Sequence, residues 1–177
     1  MRLLVTGGLG FIGSNFILKT LDENKDIEIV NIDAQLDGSN IKNLQNLKNS
    51  HNYEFVKGNI TNKKFMEEQI KKCDAVVNFA AQSFVDRSIN DANPFLVSNI
   101  RGAFTILDII TKQKKRMIQI STDEVFGSLS EGTADEKSKF NPSSPYAATK
   151  AAAELIINSY SVTYGSEIGR ASCRERV

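Results

Sequence analysis

Thr6-Gly7-Gly8-Leu9-Gly10-Phe11-Ile12-Gly13 stands at a change of periodicity. Before it, Arg2 to Thr6 is a short run of branched apolar residues with strand character, and after it Phe11 to Leu21 carries apolar residues at helical spacing. Gly7, Gly10 and Gly13 therefore occupy a strand-to-helix turn as G-x-x-G-x-x-G, with Gly8 adding a further flexible point. Glycine permits the tight turn, lets backbone N–H groups approach a pyrophosphate and leaves room for the helix on the sheet, while the helix N-terminus adds partial positive charge. Asp33 ends the next strand, roughly twenty residues beyond Gly13, the place of a carboxylate that accepts hydrogen bonds from an adenosine ribose. A carboxylate there repels a 2′-phosphate, so the expected cofactor is NAD rather than NADP.

The same alternation continues outward. Strand-like runs at 2–6, 27–32, 53–57, 75–80 and 117–121 are separated by helical patterns at Phe11 to Leu21, Phe65 to Ile70, and from an Asn93-Pro94 cap and first-turn proline to about residue 113. Repeated β-α-β units of this kind predict an α/β fold, a doubly wound parallel sheet. Residues 37–52 and 127–144 lack such periodicity and read as surface loops, the second placed to cover a site. Lys112-Gln113-Lys114-Lys115-Arg116 falls where a helix ends, and its cations suit the helix dipole and solvent better than a phosphate.

Composition narrows the function classes. Lysine plus arginine number 22 against 21 acidic residues, which leaves no field for nucleic acid or an anionic membrane. The apolar stretches, such as Ala75 to Ala81, are too short to span a bilayer, and Met1-Arg2-Leu3 enters a strand without a signal-peptide pattern, so a soluble, cytoplasmic protein is expected. Cys73 and Cys173 lack metal-ligand spacing and His51 is the sole histidine, so neither a metal site nor histidine chemistry is expected.

Two further groups carry chemistry. Tyr146 and Lys150 follow Ser144-Pro145, an N-cap and first-turn proline, and their i, i+4 spacing puts both on one helix face. An ammonium near a phenol favours the phenolate, which makes Tyr146 a candidate base for hydride transfer from an alcohol. The run Met117 to Ser121 delivers Thr122-Asp123-Glu124 at a strand's carboxyl end, where doubly wound sheets place ligands. Dehydrogenation or 4-epimerisation needs only a hydroxyl beside the tyrosine, whereas an adjacent acid and base suit removal of water from a sugar. Asn59-Ile60 follows the third strand and is placed to border the adenine.

The segments Thr6 to Gly13, Ala80-Ala81-Gln82-Ser83-Phe84-Val85-Asp86-Arg87-Ser88-Ile89, Ser121 to Gly127 and Ser144 through Lys150 together resemble the extended short-chain dehydrogenase/reductase family, the dTDP-glucose 4,6-dehydratases in particular. The resemblance covers residues 1–165 in order. It implies a Rossmann-like NAD-binding domain in which Phe11, Ile12, Asp33, Asn59, Ile60, Phe79, Ala80, Ala81, Ser83 and Ser98 contact the cofactor alongside Gly7, Gly10 and Gly13, with Tyr146 and Lys150 at the nicotinamide ribose. Ser83 and Thr122 are implied on the substrate side. Gln82 and Phe84 replace the Glu and His usual in the dTDP-glucose enzymes, and Phe126 replaces a frequent Tyr. The Gln82 form is similar to the GDP-mannose and CDP-glucose dehydratases, which leaves the nucleotide of the substrate open.

The reaction so implied begins with Tyr146 taking the sugar C4 hydroxyl proton as hydride leaves C4 for NAD. Thr122 holds the oxygen and Lys150 the phenolate. Glu124 then removes the C5 proton, Asp123 protonates the departing C6 hydroxyl, and hydride returns to C6. A nucleotide-sugar 4-epimerase would use Tyr146 and Lys150 but leave Asp123 and Glu124 idle, and a non-catalytic NAD-binding fragment would need none of these in register. The family continues past the Tyr164-Gly165 pair into a substrate domain. Residues 1–165 are therefore expected to be the NAD-binding domain, truncated before the substrate domain, and 166–177, with no strand-like run, an atypical tail of foreign or misassembled origin. Loss of a following strand would leave the 117–121 strand an open edge. A homodimer through the helices near 94–113 and 145–164 is expected of the full-length protein.

Overall fold

A computed structural model describes residues 1–128, 131–135 and 137–173, with the side chains of 172 and 173 excepted. Six strands form one parallel sheet: β1 Arg2–Thr6, β2 Glu28–Asp33, β3 Tyr53–Lys57, β4 Ala75–Asn78, β5 Arg116–Thr122 and β6 Ile168–Cys173. Their order is β3-β2-β1-β4-β5-β6. The chain thus winds outward one way from β1 to β3 and, after β4, the other way, so a crevice opens between β1 and β4 above their carboxyl ends. Helices α1 Phe11–Glu23, α2 Lys63–Lys71, α3 Val85–Asn90, α4 Asn93–Phe95, α5 Ala103–Gln113 and α6 Pro145–Tyr164 make the connections and flank the sheet. The chain has the Rossmann-like, doubly wound fold that its alternating pattern predicts.

Strand alternation sorts the core onto two faces. Leu4, Val30, Val76 and Met117 pack with Met66 and Ile70 of α2, Ile106, Leu107 and Ile110 of α5, and Ile157 of α6. Leu3, Val5, Ile29 and Val77 turn the other way onto Ile17 and Leu21 of α1 and onto Leu44, which lies in a 3-10 turn over Ile41–Leu47. On β5, Ile120 packs against this second layer, while Ile118 is 44% exposed beside an apolar groove that also includes Phe16, Val77 and Ile168.

Several expectations need correction. Ile168–Cys173, read from sequence as lacking strand character, pairs in parallel with β5 from Met117↔Ile168 to Thr122↔Cys173, so β5 is no open edge. Backbone pairing at the edge of a sheet asks little of side chains, and this strand's apolar content is too slight to announce itself. Phe79 and Ala80 leave the sheet after Asn78, and residues 37–52 include the 3-10 turn. Asn93 and Pro94 sit inside the first turn after an Ala92 cap, and the Asp91 carboxylate accepts the Asn93 N–H at 2.9 Å. Between α4 and α5 the rod widens into a π-helical stretch, Leu96–Gly102. α5 ends as expected, with Lys114 left-handed at φ 52 and Lys112 paired with Asp108 at 2.8 Å. The hydrogen bond from Lys112, which outweighs the opposing effect of burial, holds the Asp108 carboxyl below its ordinary range.

Candidate functional site

A cleft of about 580 Å³ lies over the carboxyl ends of β1 to β5. The first wall is the glycine turn. Gly7 has φ +70, and a Cβ there would lie 2.5 Å from the Ala80 nitrogen, so the loop after β4 approaches as closely as it does only because the side chain is absent. A Cβ on Gly13 would meet the Gly7 carbonyl oxygen at 2.6 Å, which keeps the first turn of α1 tight against the loop. Gly10 caps α1 without a side-chain acceptor, leaving the first-turn N–H groups toward the cleft. Phe11 and Ile12, 80% and 40% exposed, stand at its mouth.

Asp33 is 5% exposed and holds more than an exposed strand end would. Its Oδ2 accepts the Leu9 N–H at 3.0 Å, and its Oδ1 accepts the Gln35 N–H and the Ser39 hydroxyl, each at 2.8 Å. The carboxylate thereby ties the glycine turn to the loop after β2 while still facing the cleft. Beneath, Asn31 donates to the Tyr53 hydroxyl at 2.9 Å, and burial, reinforced by the Asp33 charge, pushes the Tyr53 phenol above its ordinary range.

The remaining predicted residues line the same cleft. Asn59 and Ile60 border it after β3, Phe79, Ala80, Ala81 and Ser83 after β4, and Ser98 from the π-helical stretch. Asn59 is exposed and binds Thr61 through its Oδ1 at 2.8 and 3.0 Å, whereas Ile60 is buried. None of the described residues of 127–144 lines the cleft.

Tyr146 and Lys150 face the cleft from the first turns of α6 and are 8% and 5% exposed. Ser144 caps the helix, its hydroxyl accepting the Ala147 N–H at 3.1 Å. Tyr146 is seated edge-on to Phe95, with ring centroids 6.4 Å apart, and its N–H donates to Ser88 Oγ at 3.1 Å. Lys150 Nζ donates to the Ile120 carbonyl at 2.6 Å. Thr122 ends β5 and caps a 3-10 turn over Asp123–Phe126, its hydroxyl accepting the Glu124 N–H at 3.3 Å. Asp123 and Glu124 stand exposed at the cleft's rim. A phenol and an ammonium on one helix, a hydroxyl on the facing strand end and two carboxylates beyond it form an arrangement able to take a proton from an alcohol and to exchange protons with neighbouring carbons.

Residues 4–174 match the sequence profile of the GDP-mannose 4,6 dehydratase family. The chain belongs to this family. It is 42% identical over 165 residues to the low-salt glycan biosynthesis protein Agl12 of Haloferax volcanii, covering 93% of this chain. It is also 38% identical over 176 residues to dTDP-glucose 4,6-dehydratase of Mycobacterium tuberculosis, covering 98% of this chain. The crystal structure of the dTDP-glucose 4,6-dehydratase DesIV of Streptomyces venezuelae, solved with NAD bound, superposes with a TM-score of 0.93 at 38% identity, over 98% of this chain and 55% of that one. The chain spans about half the length of the curated relatives it matches, 53% in both cases.

Several residues that shape this family member's cleft escape sequence reading. Asn99, in the π-helical stretch, accepts the Gln82 N–H at 2.8 Å and donates to the Gln82 carbonyl at 2.9 Å and to Thr149 Oγ1 at 3.0 Å, so one buried amide joins the loop after β4 to α6. At the rim, Arg87 lies 4.5 Å over the Phe84 ring and pairs with Asp37 at 2.7 Å, which clasps the loops after β2 and β4 together. The cation stacked on its ring gives Phe84 a definite packing role at the position where the resemblance leads one to expect His. Ser88 stands in a segment that carries the resemblance without a role assigned to it there, yet it anchors Tyr146. What escapes the sequence is which partner each of these groups meets, and Asn99 itself belongs to no motif.

Proposed function

We propose that this chain is the cofactor-binding half of an NAD-dependent nucleotide-sugar 4,6-dehydratase, most closely of the dTDP-glucose kind. The observation that carries the reading is the convergence of the glycine turn, Asp33, Tyr146, Lys150 and Thr122 through Glu124 on one cleft. The residues present fit NAD: Gly7 and Gly13 permit the tight turn that a Cβ on either would break, α1 presents first-turn N–H groups without a side-chain cap, and Asp33 aims an acceptor where a ribose hydroxyl donates. When bound, NAD supplies the hydride acceptor for sugar C4 and returns that hydride to C6, so the net reaction is loss of water.

The chain's own groups do the rest. Tyr146, as phenolate, takes the C4 hydroxyl proton, with Lys150 stabilising its charge and Thr122 holding the C4 oxygen. The 4-ketone acidifies C5–H. Glu124 takes that proton while Asp123, protonated, donates to the departing C6 hydroxyl, which leaves as water; the C5 proton is then restored as hydride reaches C6. Both carboxylates are exposed in this chain, and their division of labour calls for the lower dielectric that bound sugar and covering polypeptide would provide. Gly7, Gly10, Phe11, Ile12, Asn59, Ile60, Phe79, Ala80, Ala81 and Ser98 border the cofactor in this reading, and Ser83 reaches the substrate. The acid pair favours dehydration over 4-epimerisation.

A homodimer of the full-length protein fits the exposed apolar side chains Leu96, Val97 and Phe104 on one helical rod and Leu155, Val162 and Tyr164 on α6. A cytoplasmic location fits the substrates, since NAD and nucleotide sugars are polyanions that do not cross membranes unaided; among the described residues no helix is long and apolar enough to cross one. The test is to extend the chain to the relatives' length and incubate it with dTDP-, CDP- and GDP-hexoses. A 4-keto-6-deoxy product without stoichiometric NAD consumption is expected, and C4 epimers alone would overturn the dehydratase reading. The 177-residue chain, which covers 53% of the relatives it matches, should bind NAD in a calorimeter without turning over sugar, because turnover needs the sugar held by several groups at once.

A further inference from the structure

Beneath the cleft a line of buried polar groups crosses the sheet. Thr6 Oγ1 of β1 donates to Asn78 Oδ1 of β4 at 2.5 Å, Asn78 Nδ2 donates to Gln119 Oε1 of β5 at 2.7 Å, and Gln119 Nε2 donates to the Ile120 carbonyl at 2.9 Å. That same carbonyl oxygen receives Lys150 Nζ at 2.6 Å. Thr6 and Asn78 are fully buried, Gln119 is 3% exposed, and none of the three lines the cleft. Aliphatic side chains would fill these interior strand positions without the cost of desolvating two amides.

The donors all run one way. Because Gln119 Oε1 is taken by Asn78, only the Gln119 NH₂ can face Ile120, and each bond polarises the next toward that carbonyl. A carbonyl oxygen has two lone pairs. Gln119 occupies one, and Lys150 is confined to the other. We propose that Gln119 is a positioning residue for the Lys150 and Tyr146 pair, acting through the Ile120 carbonyl; this rests on the reading of that pair as catalytic. Without the Gln119 amide the oxygen becomes an unshared acceptor, draws the ammonium toward the strand and away from the phenol one turn earlier on α6, and weakens the positive field that favours phenolate.

The charged groups on the elements that line this cleft or pack on α6 include Asp123 and Glu124 at the end of β5, Asp33 across the cleft, Asp86 and Arg87 on α3, Arg101 in the π-helical stretch, and Glu154 on α6 itself. A substitution at Gln119 removes none of these charges, so the difference between variants reads the relay.

The experiment uses the 177-residue chain, whose phenolate absorbance is read without indole overlap because it has no tryptophan (Trp 0). The Tyr146 titration is the difference between each protein and the same protein carrying Tyr146→Phe. Gln119→Met should raise the Tyr146 midpoint by about half a pH unit or more, against an ordinary tyrosine near 10. Gln119→His, which keeps one accepting and one donating nitrogen, should bring it back. Thr6→Val, at the far end of the line, should move it the same way by less, and it serves where Gln119→Met does not fold. An unmoved midpoint in folded Gln119→Met, or in Thr6→Val if that variant is needed, would overturn the proposal, as would a midpoint raised equally by Gln119→His. An amide with a structural role alone would lower thermal stability and leave the titration unchanged. NAD titrations of the parent test the functional reading separately, since the Tyr146 shift is read without cofactor.

Discussion

Replacing Asp33 by Ala removes the acceptor of the Leu9 N–H, the Gln35 N–H and the Ser39 hydroxyl together. The hydroxyl can turn to another partner, but the Leu9 N–H is buried and the Gln35 N–H partly so. An orphaned buried donor costs about 1–3 kcal/mol, and counting the second at roughly half gives a loss of about 1.5–4.5 kcal/mol. For a chain of this size each kcal/mol lowers the melting temperature by about 2–4 °C, so a fall of about 3–18 °C is expected by calorimetry. Asp33→Asn retains one accepting oxygen and should lose less than half as much. NAD affinity should fall in both variants, because a charge-assisted bond to the ribose, worth about 1.5–3 kcal/mol, is lost in either. An Asp33→Ala chain that melts within a degree of the parent would refute the structural half of this argument, and one that binds NAD unchanged would refute the functional half.

Gly13→Ala places a Cβ against the backbone oxygen of Gly7 at 2.6 Å, which no side-chain movement relieves. The NAD dissociation constant should rise at least about tenfold, or about 1.4 kcal/mol, and equal binding would remove this contact from the cofactor cradle. Burial pushes the Cys73 thiol above its ordinary range, so the folded chain should resist alkylation at mildly alkaline pH; peptide mass analysis showing Cys73 labelled as fast as in urea would contradict its burial. Protonated Cys73 therefore favours the fold below the ordinary thiol range, and this small contribution is lost as pH rises through the raised value. In the full-length protein, Tyr146→Phe should impair the first hydride transfer, while Glu124→Gln should spare it and block elimination; single-turnover NADH absorbance losing that step equally in both would refute the assigned roles.

The sequence by itself determined the elements that rest on local periodicity and local chemistry. Five of the strands, the α1, α2, α5 and α6 helices, the glycine turn and the Ser144 cap were legible because strand and helix repeats and glycine's conformational freedom act over a few residues. Motif spacing likewise named Asp33, Tyr146, Lys150 and Thr122 through Glu124, which fall on one cleft because doubly wound topology carries strand ends to one side. Tertiary structure alone decided which backbone partners satisfy which polar groups. β6 exists because the free edge of β5 pairs with whatever chain lies beside it, a condition its weak apolar content does not encode. Asp33 acts as a loop tie, and Asn99 joins α6 to the loop after β4, through contacts between segments far apart in the chain. The line from Thr6 through Asn78 and Gln119 toward Lys150 spans three strands and a helix, and no local pattern announces it, because a hydrogen bond depends on where two atoms meet rather than on how far apart they stand in sequence.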